Sequence, residues 1–153
     1  MQISEYGALV MKINQNKWFR CFGNRAFKNA TYKWTLKIEE YPKNKQTDIT
    51  FGICEDSLVG DQKDYYVYTY DQHINIDKYY GIDGNHKVLH MEDTLDNDKD
   101  EILHKGDKYD FYLNCSRGEF KITKEGVEIA HKTGLPKNVN YRPSVDMKSA
   151  DGS

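Results

Sequence analysis

The chain has 153 residues, 38% of them hydrophobic, and a formal net charge of −2. That length suits one domain that buries about two thirds of its unfolded surface, and the near-neutral charge supplies no field to draw it to nucleic acid or anionic membranes. Of the 22 basic residues, 18 are Lys and 4 are Arg, so the planar forks favoured for phosphate and base recognition are scarce.

In chain order, short strand-like segments recur between polar interruptions, and no stretch keeps a helical apolar period for three turns. Strands are predicted at "ALVMKI" (8–13) and "KWFRCF" (17–22). In "YKWTLKI" (32–38), Tyr32, Trp34, Leu36 and Ile38 share one face. "EYPKNKQTD" (40–48) is a loop by its Pro, Asn and Lys content. In "ITFGIC" (49–54), Ile49, Phe51 and Ile53 share a face, and Gly52 leaves room for a neighbour. "YYVYTY" (65–70), "KYYGI" (78–82) and "HKVLHM" (86–91) follow. "KGDKYDFYLNCSRGEFKITKEGVEI" (105–129) is a meander: Tyr109, Phe111, Leu113 and Cys115 alternate with polar residues, then Phe120 and Ile122. A tight turn at Lys124-Glu125-Gly126 leads to a third strand, and "RPSVDM" (142–147) is the last. About ten short strands at this spacing predict an all-β fold, an antiparallel two-sheet β-sandwich, as a single domain over 1–153. Its core is expected to rest on Trp34, Leu36, Ile38, Phe51, Ile53, Phe111, Leu113 and Phe120.

The chemistry-bearing residues form no catalytic set. Asp96, Asp98 and Asp100 match the first ligand positions of an EF-hand loop, but Glu101 stands where Gly is needed and Asp107 where the bidentate Glu belongs. His86 and His90 flank "KVL"; in an extended strand that spacing is roughly 13 Å, too far for one metal ion. With His73, His104 and His131 they read as scattered surface residues. Cys21, Cys54 and Cys115 are odd in number and far apart, which suits buried free thiols better than a disulfide framework. No nucleophile elbow, phosphate loop, zinc-helix motif or facing pair of carboxylates is present, so no enzyme, metal site or cofactor is expected. No apolar leader and no run near the roughly 18 residues that cross a bilayer are found, which predicts an intracellular, cytoplasmic protein. Tyrosine is the unusual feature: six of 12 lie between residues 65 and 80. They read either as a half-buried sheet stripe or as a recognition surface with broad rings and polar tips.

The order of these segments resembles the SPRY domain family, a concanavalin-like β-sandwich interaction module. "AFKNATYKWTLKI" is similar to the family's Gly-x-Tyr-x-Trp strand, with Ala30 at the usual Gly. "ITFGICEDS" resembles its aliphatic-Gly-aliphatic strand before a variable loop. The meander matches with Glu125 at the usual Asn, and "GLPKNVNYRPSVDM" looks like its Tyr-x-Pro strand. The resemblance covers residues 17–149. It implies a non-enzymatic adaptor, or a subunit of a larger assembly, that binds a protein or peptide through loops at one end of the sandwich. By position the contact residues are Tyr65, Tyr66 and Tyr70, with Asn24, Arg25, Met147 and Lys148; loops 56–66 and 147–149 are expected to converge. A carbohydrate-binding, lectin-like domain is the alternative. The family usually adds one strand after Tyr-x-Pro, and here the segment runs into "KSADGS". Another strand fills that edge, the chain is truncated, or a partner covers it.

Overall fold

A computed structural model of the chain describes residues 2–3, 10–11, 18–23, 26–39, 49–58, 67–70, 79–93 and 103–148. In these the chain forms β1 (Gln2–Ile3), β2 (Val10–Met11), β3 (Trp18–Phe22), β4 (Thr31–Lys37), β5 (Ile49–Glu55), a single 3-10 turn (Asp56–Leu58), β6 (Val67–Tyr70), β7 (Tyr79–Asp83) and β8 (Val88–Leu89). They continue with β9 (Glu92–Asp93), β10 (Lys108–Asn114), β11 (Glu119–Lys124), β12 (Val127–Lys132) and β13 (Tyr141–Lys148). The described residues are all-β, as expected. A five-stranded sheet has the order β4-β10-β11-β12-β9 and a six-stranded sheet the order β6-β3-β13-β5-β7-β8, while β1 and β2 pair by themselves. Every pairing is antiparallel. Among the described residues, no helix is long and apolar enough to cross a membrane.

The two sheets pack face to face because their alternations bury one face of each. Tyr109, Phe111, Leu113, Phe120 and Ile122 from one meet Ile49, Phe51, Ile53, Tyr80, Ile82 and Tyr141 from the other. Phe51 lies edge-on to Tyr109 at 4.8 Å and to Phe111 at 6.1 Å, which ties the layers together. Six of the eight expected core residues are buried. Trp34 and Leu36 are half-buried and pack against the core from β4, which among the described residues is the end strand of its sheet; Phe27 leans on Trp34 at 5.1 Å.

Several features depart from simple alternation. β5 is buried on both faces: Thr50, Gly52 and Cys54, which point away from Phe51 and Ile53, are as enclosed as they are. In β12, a register shift opposite Ile122 and Thr123 lets Ile129 and Ala130 both be buried, the signature of a β-bulge. The strand expected over 86–91 shrinks to two residues, because His86 (φ 62°) and His90 (φ 56°) both adopt the left-handed conformation. His86 is no surface residue. It is 6% exposed, and its Nε2 lies 2.7 Å from the Tyr109 hydroxyl. Tyr79 and Tyr80 are likewise buried, so that part of the tyrosine cluster is packing and not display. Cys54 and Cys115 are buried free thiols, as predicted.

Candidate functional site

β13 organises one end of the sandwich. Tyr141 pairs with Glu55 at the end of β5, and Met147 pairs with Ile49 at its beginning. On its other side β13 pairs with β3, from Ser144↔Phe22 to Lys148↔Trp18. The edge that a further strand would cover is therefore filled by β3, with β6 beyond it.

These registers sort the predicted contact residues. At the Tyr141 end, the Gly23 N–H donates to the Pro143 carbonyl at 2.8 Å. Phe27 and Tyr141 exchange backbone bonds of 2.7 and 3.2 Å. The Asp56 N–H donates to the Asn140 carbonyl at 2.7 Å. The stems of two loops, 24–25 and 56–66, are thus fastened to residues 140–143, at and just before the start of β13. Val67, which ends the second loop, pairs with Cys21, two residues before Gly23. Tyr70 pairs with Trp18, and Trp18 with Lys148, so Tyr70, Met147 and Lys148 occupy neighbouring rows at the other end of the sheet. The expected convergence of loops 56–66 and 147–149 is corrected: β5 and β13 are antiparallel neighbours, so the strand ends that feed those loops face opposite ways. Asn24, Arg25, Tyr65 and Tyr66 themselves lie outside the described residues, as do the side chains of Tyr70 and Lys148; Met147 packs partly against the core.

Arg142 is the chemical centre of the first end. Its Nε donates to Asp56 Oδ1 at 2.5 Å and its Nη1 to the Gly23 carbonyl at 3.0 Å. The guanidinium is nearly buried, whereas the Asp56 side chain is about one third exposed. A planar fork can hold a carboxylate and a carbonyl at once, which a lysine ammonium does with less geometric definition. Position-by-family reasoning passed over Arg142, Asp56 and Gly23. The available signal was that Arg142 is one of only four arginines and sits inside a strand, where a cation demands a partner.

Beside it, the Tyr141 hydroxyl donates to the Pro136 carbonyl at 2.7 Å. Burial pushes the Tyr141 phenol well above its ordinary value, with Tyr80 and Glu55 adding to the shift. Burial also pushes the Cys115 thiol up, the opposite of what a nucleophile needs. Neither group is prepared for proton transfer or attack at neutral pH. The end is a hydrogen-bonded frame at the stems of two loops.

Compared with models of known protein families, the sequence matches none, and no curated protein is similar to it.

Proposed function

We propose that this chain is a non-enzymatic protein-interaction module of the SPRY type, acting inside the cell as an adaptor or as a subunit of a larger assembly. The partner, a protein or peptide, is bound by loops 24–25 and 56–66, with Tyr65 or Tyr66 as the aromatic anchor. The observation that carries the reading is the Arg142 fork, which fastens the stems of both loops to one end of β13. Such an arrangement lowers the ordering cost of binding, since the loops leave a hydrogen-bonded base. A tyrosine suits the anchor role because its ring buries broad apolar area while its hydroxyl stays bonded.

The test compares capture from lysate of the native cell, read by mass spectrometry, between the wild type and Tyr65→Ala with Tyr66→Ala. Loss of a central anchor costs about 2–4 kcal/mol, roughly 30- to 1,000-fold in affinity. The double variant should lose its partner while its melt stays within a degree or two of the wild type. A folded variant that captures the same partner equally well refutes the loop assignment.

A further inference from the structure

Among the described residues, β4 has a hydrogen-bonded neighbour, β10, on one side only. The ladder sets the direction of each β4 peptide group. The Ala30 carbonyl accepts from the Cys115 N–H at 3.0 Å, and the Ile38 N–H donates to the Asp107 carbonyl at 2.8 Å. Even-numbered residues therefore turn their backbone groups toward β10. Because that direction alternates along a strand, the N–H and C=O groups of Thr31, Lys33, Thr35 and Lys37 point off the open edge. Among the described residues nothing pairs with them.

The side chains along this edge are equally particular. On the inner side Tyr32, Trp34 and Leu36 are half-buried, while their cross-strand partners Leu113, Phe111 and Tyr109 are at most 3% exposed. Phe27 stacks on Tyr32 at 4.1 Å and leans on Trp34 at 5.1 Å, so the strip is partly covered, and what remains exposed is the half of these side chains that faces the edge. On the outer side Lys33 and Lys37 are exposed. Lys37 sits directly opposite Lys108, an unfavourable like-charge pair, and Lys33 shares a row with Tyr112 and Lys121. Three carboxylates offset most of the charge of the four lysines Lys33, Lys37, Lys108 and Lys121 and leave a small positive excess along the edge. Asp110 accepts the Thr35 hydroxyl at 2.6 Å, Glu119 pairs with Lys121 at 3.0 Å, and Glu39 reaches Lys37 only at 3.7 Å between exposed groups. Next to the edge, a hollow of about 300 Å³ opens between Lys33, Thr35, Asp110, Tyr112 and Lys121.

We propose that β4 is a docking edge for an extended peptide whose residues alternate between acidic and apolar, added as a sixth strand to this sheet. Main-chain bonds to Thr31, Lys33, Thr35 and Lys37 hold the peptide, its apolar side chains cover Tyr32, Trp34 and Leu36, and its carboxylates neutralise Lys33, Lys37 and Lys108. Lysines on an edge strand repel an edge of like charge, including a second copy of β4. The same lysines admit a strand of opposite charge, so they select the partner as well as guard the edge. This surface is separate from the loop end and does not depend on the loop reading.

The probe is an acetylated, amidated heptapeptide alternating Glu with Val, added to the full chain, with Lys replacing Glu in the control peptide. Amide hydrogen exchange is followed residue by residue. At saturation the Lys33, Thr35 and Lys37 amides should slow at least about tenfold, while those of Trp34 and Leu36, already bonded to β10, stay unchanged. The Lys-containing peptide should give no protection, and Lys33→Glu with Lys37→Glu should weaken binding at least about tenfold. Should that variant fail to fold, the wild type supplies the same test: affinity for the acidic peptide falls at least about tenfold as salt screens the charges. Tyr65→Ala with Tyr66→Ala should bind the peptide as the wild type does, whatever becomes of loop-mediated capture. The proposal is overturned if the odd-numbered amides gain no protection, if both peptides protect equally, or if protection appears with rising protein concentration alone.

Discussion

Replacing Gly52 with alanine should sharply lower the resistance of this fold to urea. Gly52 stands opposite Gly81 in the β5–β7 ladder. A Cβ at Gly52 would lie 2.0 Å from the Tyr80 carbonyl oxygen and 2.6 Å from the Gly81 Cα, both backbone atoms. Neither strand can slide away cheaply, since β5 is held by β13 on its other side and is buried on both faces. Relief requires the ladder to open by roughly 1 Å, which sacrifices about two hydrogen bonds worth about 1 kcal/mol each. Overpacking adds about 1–3 kcal/mol, and the stiffer unfolded chain offsets about 0.4–1 kcal/mol. The net loss is about 2–4 kcal/mol, which at a slope of about 2 kcal/mol per molar moves the urea midpoint down by about 1–2 M. Gly106→Ala is the control. Its Cβ meets nothing within 4 Å, and only its φ of 90° opposes the change, so it should cost about 1–2 kcal/mol. A Gly52→Ala midpoint within about 0.3 M of the wild type, or above that of Gly106→Ala, refutes the tight β5–β7 approach.

Trp34→Ala should cost about 2–3 kcal/mol in the same assay, below the roughly 3–5 of a fully buried Trp, because the indole stacks on Phe111 at 5.2 Å and meets Phe27 at 5.1 Å but is only half-buried; an unchanged midpoint would sink the β4 assignment. Arg142→Ala should destabilise by about 2–3 kcal/mol, since it strands Asp56 and frees the Gly23 carbonyl, and Arg142→Lys should recover only part of that. Full recovery by Lys would show that charge alone matters there. Tyr141→Phe should lose about 1 kcal/mol at pH 7 with the bond to the Pro136 carbonyl. Because burial raises this phenol, its share of stability is present below the ordinary phenol value of about 10 and is lost as pH climbs above it. Urea midpoints at about pH 8, 10 and 11 should therefore fall less steeply for the Phe variant than for the wild type, and parallel falls would refute the assignment. Glu125→Asn should stabilise by about 0.5–1 kcal/mol: Glu125 (φ 52°) and Gly126 (φ 81°) form a two-residue hairpin turn between Lys124 and Val127, and Asn tolerates that backbone better than Glu. A lowered midpoint in the Asn variant would contradict that turn.

The strands themselves were legible because alternation is a local property. Tyr109, Phe111 and Leu113 declare a buried face whatever lies opposite, and β10, β11 and β12 fall where the pattern puts them. Two kinds of feature escaped. "HKVLHM" reads as extended by composition, yet His86 takes the left-handed position that closes the Asp83–Lys87 hairpin turn between β7 and β8, and His90 is left-handed as well. Tyr79 and Tyr80 looked equally suited to display or to packing, because tyrosine satisfies both. Only the position of β7 beside β5 settles it, and that position is absent from any window of sequence.

The candidate site depends on a third kind of information, the parity of antiparallel neighbours. Loops that follow β5 and β13 share an end only if those strands run the same way. They are adjacent and antiparallel, with Glu55 beside Tyr141 and Ile49 beside Met147, so no choice of loop conformation gives their ends a common base. The same parity brings residues distant in sequence together. β3 runs antiparallel to β13, which delivers Gly23 to Pro143, and the antiparallel β6 begins beside Cys21. Loops 24–25 and 56–66 therefore spring from one frame, and Arg142 reaches both stems from a single strand position. A binding surface at that end and one along β4 place different demands on the chain. The first needs the Arg142 frame and side chains in loops. The second needs the backbone of Thr31, Lys33, Thr35 and Lys37, with which nothing pairs among the described residues, and the two lysine charges. Arg142→Ala should thus weaken loop-mediated capture and leave the protection of the β4 amides intact, whereas Lys33→Glu with Lys37→Glu should do the reverse. A variant of either kind that stayed folded by its melt and still abolished both would mean that one surface serves both, and the division drawn from strand parity would fall.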